Sequence, residues 1–393
     1  MTGTNRQPGS LLTAGPVTFS LYVDGYYAWQ FQQPIDHTIF PTTTAPRHDE
    51  ISLNLAAIGV DVTGLDGPIG RVYFQYGSNI LTNGGQDGTT TRGYFLSASA
   101  FEPIQQAGVG WHFHALHGIN TEIGIFPSYV GMESYLPQEN WNYTHSFSAD
   151  FTPYYFAGAR GQIFVSQHTK VELWLVNGWQ TYGEWHEAKA GGYLIQTHPS
   201  ESLLLGHNAY FGAEDPSPAA ASSVRAYSDN YAQLRYFKRD SGFLRSLAIA
   251  ASGDIGFDSH TGSPNDILAG GVLAHRAQFG TDWAFTVRGD VYYDKTQDVI
   301  YQLPLSSPYS LSTLPGSQGP FLGAGLTTTV DFSPSPWIVF RFEYAHRAAS
   351  IDYFSGHGGI TGPNGYAPAI ASDFTPDLRR TDDRLVFNAT LRL

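Results

Sequence analysis

The sequence of 393 residues contains no cysteine, which excludes a disulfide framework and thiolate metal sites. Charged residues make up only 14% of it, whereas soluble domains usually have roughly 25%. A soluble protein needs a charged coat, so we expect much of the outer surface to lie out of water. The net charge of −13 argues against broad binding of nucleic acid, because that function requires a basic surface.

Long apolar runs are also missing, since no stretch approaches the ~18 uncharged apolar residues of a transmembrane helix. The first ten residues, MTGTNRQPGS, are polar and lack the apolar core of a signal peptide. We therefore interpret the sequence as a mature chain from which a signal peptide has been removed. Residues 1–16 are predicted to form a polar N-terminal extension, and residues 17–393 a single domain.

Alternation with period two is the main pattern that the sequence does contain. In VTFSLYVDGYYAWQFQ, residues 17–32, the odd positions are apolar, aromatic or glycine, and the even positions are mostly polar. This pattern predicts a β-strand with one apolar face. This run is much longer than a typical strand of a soluble protein, which has about five or six residues. A tilted strand crosses a membrane in about 9–11 residues, so the excess places Tyr27, Trp29 and Phe31 in an external aromatic girdle.

Comparable strands recur along the chain, and sixteen of them can be drawn. The second shifts phase near Ala56–Ala57, where a bulge is plausible, and the tenth is predicted at Asn230–Lys238. Long and short connections alternate between these strands. The sequence therefore predicts an all-β fold, a transmembrane antiparallel up-and-down β-barrel of about 16 strands with short periplasmic turns and long external loops. A soluble β-sandwich or a lipocalin-like barrel is the alternative, but neither requires long loops on one side only.

The polar members of the strands should line the interior of this barrel. Sixteen strands leave an aqueous channel, and charges along such a channel tune ion selectivity. Each of these residues can also be an ordinary solvated side chain with no individual role. The residues predicted to line the pore are Arg71, Arg160, Lys170, Glu172, Arg235, Arg288, Asp290, Arg341 and Glu343.

The third long connection, which includes VGMESYLPQENWNYTHSFSAD, is rich in acidic and aromatic residues. Loops of this length are usually functional or disordered. We expect it to fold inward, narrow the pore and set its acidic groups against the arginines of the wall. An external loop that packs on its neighbours is an equal alternative. The residues predicted to form the constriction are Glu133, Glu139, Trp141 and Tyr143.

Signals for catalysis, metals and cofactors are weak. His112 and His114 alternate on one strand and could share a metal ion, but no third ligand can be assigned. No G-x-S-x-G motif occurs, and no loop suited to binding phosphate is present. The sequence therefore predicts no cofactor, no metal and no enzymatic activity.

Four segments resemble the OmpL-like outer-membrane β-barrel porins: SLYVDGYYAWQF, GIFPSYVGMES, ENWNYTHSF and ELWLVNGWQ. The resemblance lies mainly in the first half of the chain. It implies a porin of the bacterial outer membrane whose solute is unassigned. The partners that follow are outer-membrane lipid, small hydrophilic solutes and a second copy of the chain. The end of the sequence departs from these barrels, because it closes on Leu393 where they typically have an aromatic residue.

These observations together predict a passive diffusion channel for small hydrophilic solutes or ions. A substrate-specific channel of the sugar type is one alternative, and an aromatic track inside the lumen would favour it. An enzyme of the outer membrane is a second alternative, and a plugged structural or adhesive barrel is a third. Charges of the two signs are interleaved on the interior face, so strong cation selectivity is not expected despite the net charge.

Overall fold

The computed structural model describes residues 13–63, 66–84, 87, 89, 97–184, 188–214, 223–259, 264–303, 311–366 and 374–393. Most of the predicted N-terminal extension, residues 1–12, lies outside the described residues. Thr13–Ala14 forms a short strand, β1, which pairs with the next strand. The proposed domain boundary at residue 17 stays a prediction.

Sixteen long strands form the body of the molecule. They are β2 Val17–Gln30, β3 Ile51–Val62, β4 Pro68–Tyr76, β5 Ile104–Phe113, β6 Ile119–Pro127, β7 Tyr155–Phe164, β8 Thr169–Val176, β9 Ala190–Ser200, β10 Leu203–Ala213, β11 Val224–Lys238, β12 Leu244–Ser259, β13 Asp266–Phe279, β14 Trp283–Asp294, β15 Phe321–Ser335, β16 Ile338–Ala349 and β19 Thr381–Arg392. Between the last two lie β17 Phe354–Ser355 and β18 Leu378–Arg379, which pair with each other.

Each long strand pairs antiparallel with the next, and β19 pairs with β2, so the sheet closes on itself. A closed barrel satisfies every ladder hydrogen bond without leaving an edge. The predicted fold class and strand number are confirmed. The described helices are short: α1 Ser78–Gly84, α2 Phe147–Asp150 and three 3-10 turns. Among the described helices, none has the length and apolar character needed to cross a membrane.

The alternation in the sequence decides which side chains face the interior. Along β2, Asp24, Tyr26 and Gln30 are buried inside, whereas Phe19 on the other parity is exposed on the outside. The outer surface accordingly carries apolar side chains and the interior carries polar ones. This arrangement is the reverse of a soluble protein and matches a barrel surrounded by lipid.

Two details differ from the sequence prediction. The bulge in β3 lies at Asn54, between the pairs Asp24–Leu55 and Gly25–Leu53, two residues before the predicted position. Strand β11 begins at Val224, six residues before the predicted start at Asn230. The sequence does not predict the early part of this strand, because the outward residues there, such as Ala226 and Ser228, are small or polar and obscure the alternation.

The connections between strands are long at one end of the barrel and short at the other. The links at 31–50, 77–103, 128–154, 295–320 and 350–380 all lie at one end, and the two-residue links at 201–202 and 336–337 lie at the other. The long links carry the described helices, because only they have enough chain to form them. We refer to the link at 128–154 as the third loop.

The outward face can be tested by placing a charge on it. Leu273 is 57% exposed in the middle of β13, and Ser252 lies on β12 on the opposite parity, beside Val272. We expect Leu273→Arg to lower the free energy of unfolding in liposomes by about 2–4 kcal/mol, because a guanidinium would enter the lipid. Ser252→Arg, which adds the same group to the interior, should cost clearly less. Equal costs would show that the facing assignment is wrong.

Candidate pore constriction

The third loop enters the barrel and crosses it. It leaves β6 and returns to β7, yet many of its polar contacts are with β13–β16 and β2, on the far side of the ring of strands. Ser146 begins its helix α2 by accepting a hydrogen bond from Ala149 N–H at 3.2 Å. This cap fixes the turn that presents the preceding backbone carbonyls to the wall.

Four arginines of the wall bind this loop. Arg341 donates to the carbonyl oxygens of Pro137, at 2.7 Å, and Asn140, at 3.0 Å. Arg276 donates to the carbonyl oxygen of Trp141 at 3.3 Å. A guanidinium has five donors in a planar fork, so each arginine can satisfy loop carbonyls and a carboxylate at once.

Arg288 makes the most contacts of the four. It donates to Glu133 at 2.8 Å and to the carbonyl oxygens of Thr144, at 2.7 Å, and His145, at 2.9 Å. Arg347 also donates to His145 O, and it forms an ion pair with Asp150 at 2.8 Å. Both guanidinium groups are almost completely buried. The loop is therefore held by charge-assisted hydrogen bonds in a water-poor interior, where they are stronger than at a surface.

Acidic groups of the wall bind the loop from the other direction. Glu343 accepts from the backbone N–H groups of Tyr143, at 2.6 Å, and Thr144, at 2.9 Å. Asp290 accepts from Phe147 N–H at 3.0 Å, and Asp24 from the hydroxyl of Tyr143 at 2.9 Å. The wall thus supplies acceptors for loop N–H groups that would otherwise be buried without partners.

Glu133 is the predicted acidic residue of the loop that meets the arginines. Burial alone would raise its pKa, but Arg288, His145 and hydrogen bonds from Ser146 outweigh burial and lower the pKa below its ordinary value. Ser146 supplies both its N–H, at 2.8 Å, and its hydroxyl, at 2.6 Å. Glu133 is therefore held in its charged form at neutral pH.

The other predicted loop residues lie in different places. Glu139 does not join Arg288; it accepts a hydrogen bond from Ser134 and lies 3.7 Å from Arg392 near the short-turn end. Trp141 contributes its backbone carbonyl, as described above. Tyr143 is fully buried and reaches across to β2.

The predicted wall residues divide into two groups on opposite sides of the ring. Arg288, Asp290, Arg341 and Glu343 belong to the side that binds the third loop. On β4–β8, Arg71 and Arg160 both pair with Glu122, at 2.9 and 2.8 Å.

Two further predicted residues complete the β4–β8 group, because Lys170 pairs with Glu172 at 2.7 Å. Arg235 joins neither group. It lies beside the β9–β10 turn, where it donates to Glu201 O at 3.3 Å. Charges of both signs therefore alternate around the interior, and each described cluster contains its own counter-ions.

Sequence reasoning missed Arg276, Arg347, Asp331 and Arg384. Arg347 shares its parity with Arg341 and Glu343 on β16, so the alternation contained enough information to find it. Arg276 was harder to find, since its inward neighbours on β13, Val272 and Ala274, are apolar.

Aromatic rings of β6–β10, together with Tyr129 of the third loop, form a cluster inside the barrel. The rings of Tyr129 and Trp174 stack with centroids 4.9 Å apart, and those of Tyr129 and Phe156 stack at 5.1 Å. Arg160 lies over Phe126, 4.2 Å from the ring centroid. All these rings are buried against one another, so this cluster offers no open face along which a sugar could move.

Cavities remain where the third loop does not touch the wall. A cavity of about 240 Å³ lies under the loop at the short-turn end, against β2–β5. A second of about 20 Å³ lies above it, toward the long-loop end, and the two share Gln105, Pro127 and Tyr135. In the smaller cavity, Tyr135 donates a hydrogen bond to Gln75 at 2.8 Å. A third cavity, of about 260 Å³, lies at the same short-turn end on the opposite side of the barrel, beside Arg276 and Gln278.

Residues 16–370 match the protein family described as "Putative beta-barrel porin-2, OmpL-like". The chain belongs to this family. It is therefore a channel-forming barrel of the bacterial outer membrane, with its short turns on the periplasmic side and its long loops outside. The resemblance that the sequence motifs indicated is confirmed. No curated protein matches the chain significantly.

Solved outer-membrane barrels share the fold. The channel DcaP of Acinetobacter baumannii has 10% sequence identity, a TM-score of 0.58, and coverage of 96% of this chain and 97% of its own. An anion-selective porin from Comamonas acidovorans has 8% identity and a TM-score of 0.56, with coverage of 96% and 99%. The trimer form of OmpT from Vibrio cholerae has 9% identity and a TM-score of 0.52, with coverage of 97% and 100%. At such low identity these similarities establish the fold alone.

The contact between Arg288 and Glu133 can be tested by a double-mutant cycle. Arg288→Met leaves Glu133 and Asp290 buried without their partner, and we expect it to lower the free energy of unfolding by about 3–5 kcal/mol. Adding Glu133→Gln should recover part of this loss, because one of the uncompensated charges is removed. Urea unfolding of the barrel in liposomes measures the free energy of unfolding of the single variants and of the double variant.

Arg380→Met is the matched control, since this arginine pairs with Asp352 but is largely exposed. It should cost less than ~1 kcal/mol. If the losses in unfolding free energy caused by Glu133→Gln and Arg288→Met were simply additive in the double variant, the buried pair would not couple the loop to the wall.

Proposed function

We propose that the protein is a passive diffusion channel for small hydrophilic solutes, in which the third loop forms the constriction. The observation that supports this proposal is the placement of the loop. It is bound to the β13–β16 side of the interior, while the two cavities that its Tyr135 helps to line are on the β2–β6 side. Solutes would then pass between Tyr135 of the loop and the wall at Gln75 and Gln105, which requires the hydrogen bond of 2.8 Å between Tyr135 and Gln75 to open. The charged residues predicted to line the pore would act by setting the potential along this path.

Conductance tests the proposal directly. Replacing residues 132–143 by a short Gly-Ser linker removes much of the loop that crosses the interior, including Tyr135, so we expect single-channel conductance in planar bilayers to rise. Folding is checked first by resistance of the barrel to unfolding in detergent without heating, because the deletion also removes Glu133 from Arg288 and two carbonyl acceptors from Arg341. A folded variant with unchanged conductance would place the constriction elsewhere.

A plugged structural barrel is the second candidate function. One observation favours it: Arg288, Glu343, Arg384 and Asn388 are all almost fully buried in the interior, so little water reaches this side. The same bilayer measurement separates the two candidates. A correctly folded wild-type barrel that carries no ionic current would favour the plugged barrel and contradict the channel.

We further propose that the protein works without catalysis, and that its partners are lipid, the permeating solutes and other copies of itself. Support for self-association comes from the outer face of β9–β13. There the hydroxyl of Tyr193 lies 2.8 Å from His207 Nε2, and His207 Nδ1 lies 2.8 Å from Asn230 Oδ1. Asn230 is paired with Gly253, and Gly253 with Gly271. A polar, flat surface is unfavourable against lipid tails but suits contact with another protein.

Cross-linking tests this surface, because the chain has no native cysteine. We expect Asn230→Cys to give covalent oligomers with a short bis-maleimide in native outer membranes. Val109→Cys is the matched control, since Val109 is 63% exposed on β5, far around the barrel. Cross-linking of both variants to the same extent, or of neither, would argue against association through β9–β13.

A further inference from the structure

Acidic side chains converge at the long-loop end of β12–β14, outside the two wall groups described above. Asp258 of β12 and Asp266 of β13 are partners in the ladder, and Asp298 follows β14 in the link at 295–320. Each of them offers a carboxylate oxygen, and the three oxygens lie within 4.8 Å of one another. Asp258 and Asp266 are almost completely buried, whereas Asp298 is exposed. The cluster can therefore be reached from the external side.

Asp266 has a buried oxygen that requires a ligand. Its Oδ1 accepts hydrogen bonds from the N–H groups of Ile267, at 2.7 Å, and Thr296, at 3.0 Å. Its Oδ2 has no hydrogen-bond partner among the described residues, although the side chain is completely buried. The carboxyl group of Asp294 lies in contact with it. Two carboxylates in contact repel each other unless a proton or a cation joins them.

Basic side chains of the protein do not supply this cation. Arg225 pairs with Asp258 at 2.5 Å and lies 3.4 Å from Glu214, so one guanidinium serves two acids. Lys295 donates to the backbone carbonyl oxygen of Asn265 at 3.1 Å. In the part of the chain that the structure describes, no basic side chain forms an ion pair with either carboxylate of the contact described above. In this respect the cluster differs from the two wall groups, which contain their own counter-ions.

The spacing and the chemistry of these oxygens suit calcium. Ca²⁺ binds carboxylate oxygens at about 2.3–2.6 Å, so two oxygens on opposite sides of the ion are roughly 4.6–5.2 Å apart. A bare cation is smaller than a water molecule, so oxygens that no water reaches can still surround it. A carboxylate oxygen has two lone pairs, which allows Asp258 to bind an ion while it also accepts from Arg225. A proton joins only two oxygens, whereas three carboxylates converge here.

We propose that Asp258, Asp266 and Asp298 form a calcium-binding site at the external mouth of the barrel. Asp294 adds negative charge beside the ion, and water completes the coordination on the exposed side. The ion ties the link at 295–320 to the ends of β12 and β13. This inference does not depend on whether the barrel conducts. The sequence predicts no metal, because these aspartates are spread over residues 258–298 and form no local motif.

Titration calorimetry tests the site on the full-length barrel refolded in detergent, which carries no lipopolysaccharide that could bind calcium. We expect one Ca²⁺ per chain with a Kd on the order of 10⁻⁴–10⁻³ M, as in extracellular calcium modules. Mg²⁺ should bind much more weakly, because it requires near-ideal octahedral geometry and gives up its water reluctantly. Absence of calcium binding, or equal affinity for the two ions, would overturn the proposal.

Variants locate the ion. Asp266→Asn and Asp298→Asn each remove one charged ligand and should raise the Kd for calcium roughly tenfold or more. The second change is at an exposed residue, so it tests the site without altering the buried contact. Asp240→Asn is the matched control, because this exposed aspartate lies at the other end of the barrel, in the turn between β11 and β12. Unchanged calcium affinity in Asp266→Asn and Asp298→Asn would place the ion elsewhere and contradict the proposal.

Thermal unfolding without calcium gives a second readout. Asp266→Asn removes the repulsion from Asp294, so we expect it to raise the Tm of the metal-free barrel and to abolish the further rise that calcium gives the wild type. Asp240→Asn should leave both Tm values unchanged. A metal-free Asp266→Asn barrel that unfolds at a lower temperature than wild type would show that the contact needs no cation, and it would overturn the proposal.

Discussion

Buried guanidinium groups inside the barrel are the feature on which the rest of the interior depends. A positive charge removed from water must be matched by opposite charge and by hydrogen-bond acceptors, because otherwise the free energy of unfolding falls by roughly several kcal/mol. Carboxylates of the strands satisfy part of some arginines, as Asp331 does for Arg276 and Arg341, whereas Arg347 pairs with Asp150 of the third loop. The remaining donors require carbonyl oxygens that neighbouring strands cannot supply, because strand carbonyls are already used in the ladder. The third loop supplies them, and this need explains why it lies inside.

An asymmetric interior follows from this arrangement. The arginines that bind the loop come from β13–β16, so the loop lies against that side and leaves space on the side of β2–β6. The β4–β8 wall has arginines of its own, but Glu122 already pairs with Arg71 and Arg160. These residues therefore have less need of the loop. The proposed passage thus lies opposite the arginines that bind the loop.

Much of the fold could be predicted from the sequence, because alternation directly reports which side chains face lipid. It failed where the outward residues are small or polar, as at Ala226 and Ser228 on β11. The inward position of the third loop was one of two equal alternatives. The sequence predicted that acidic groups of the loop would face arginines of the wall, but not that Glu133 would pair with Arg288. The partners of each arginine could not be derived, since they depend on how far the loop reaches across the barrel.

The central claim is that ions and solutes pass on the β2–β6 side of the third loop and not on the β13–β16 side. Cysteine accessibility during single-channel recording measures this most directly, as the chain has no native cysteine. Gln105→Cys lies on the wall of the proposed passage, and Thr329→Cys lies where Asn142 of the loop binds β15 at 2.7 Å. A cationic methanethiosulfonate reagent should reduce the current through Gln105→Cys in steps and leave Thr329→Cys unaffected. Block of Thr329→Cys with no effect on Gln105→Cys would contradict the account.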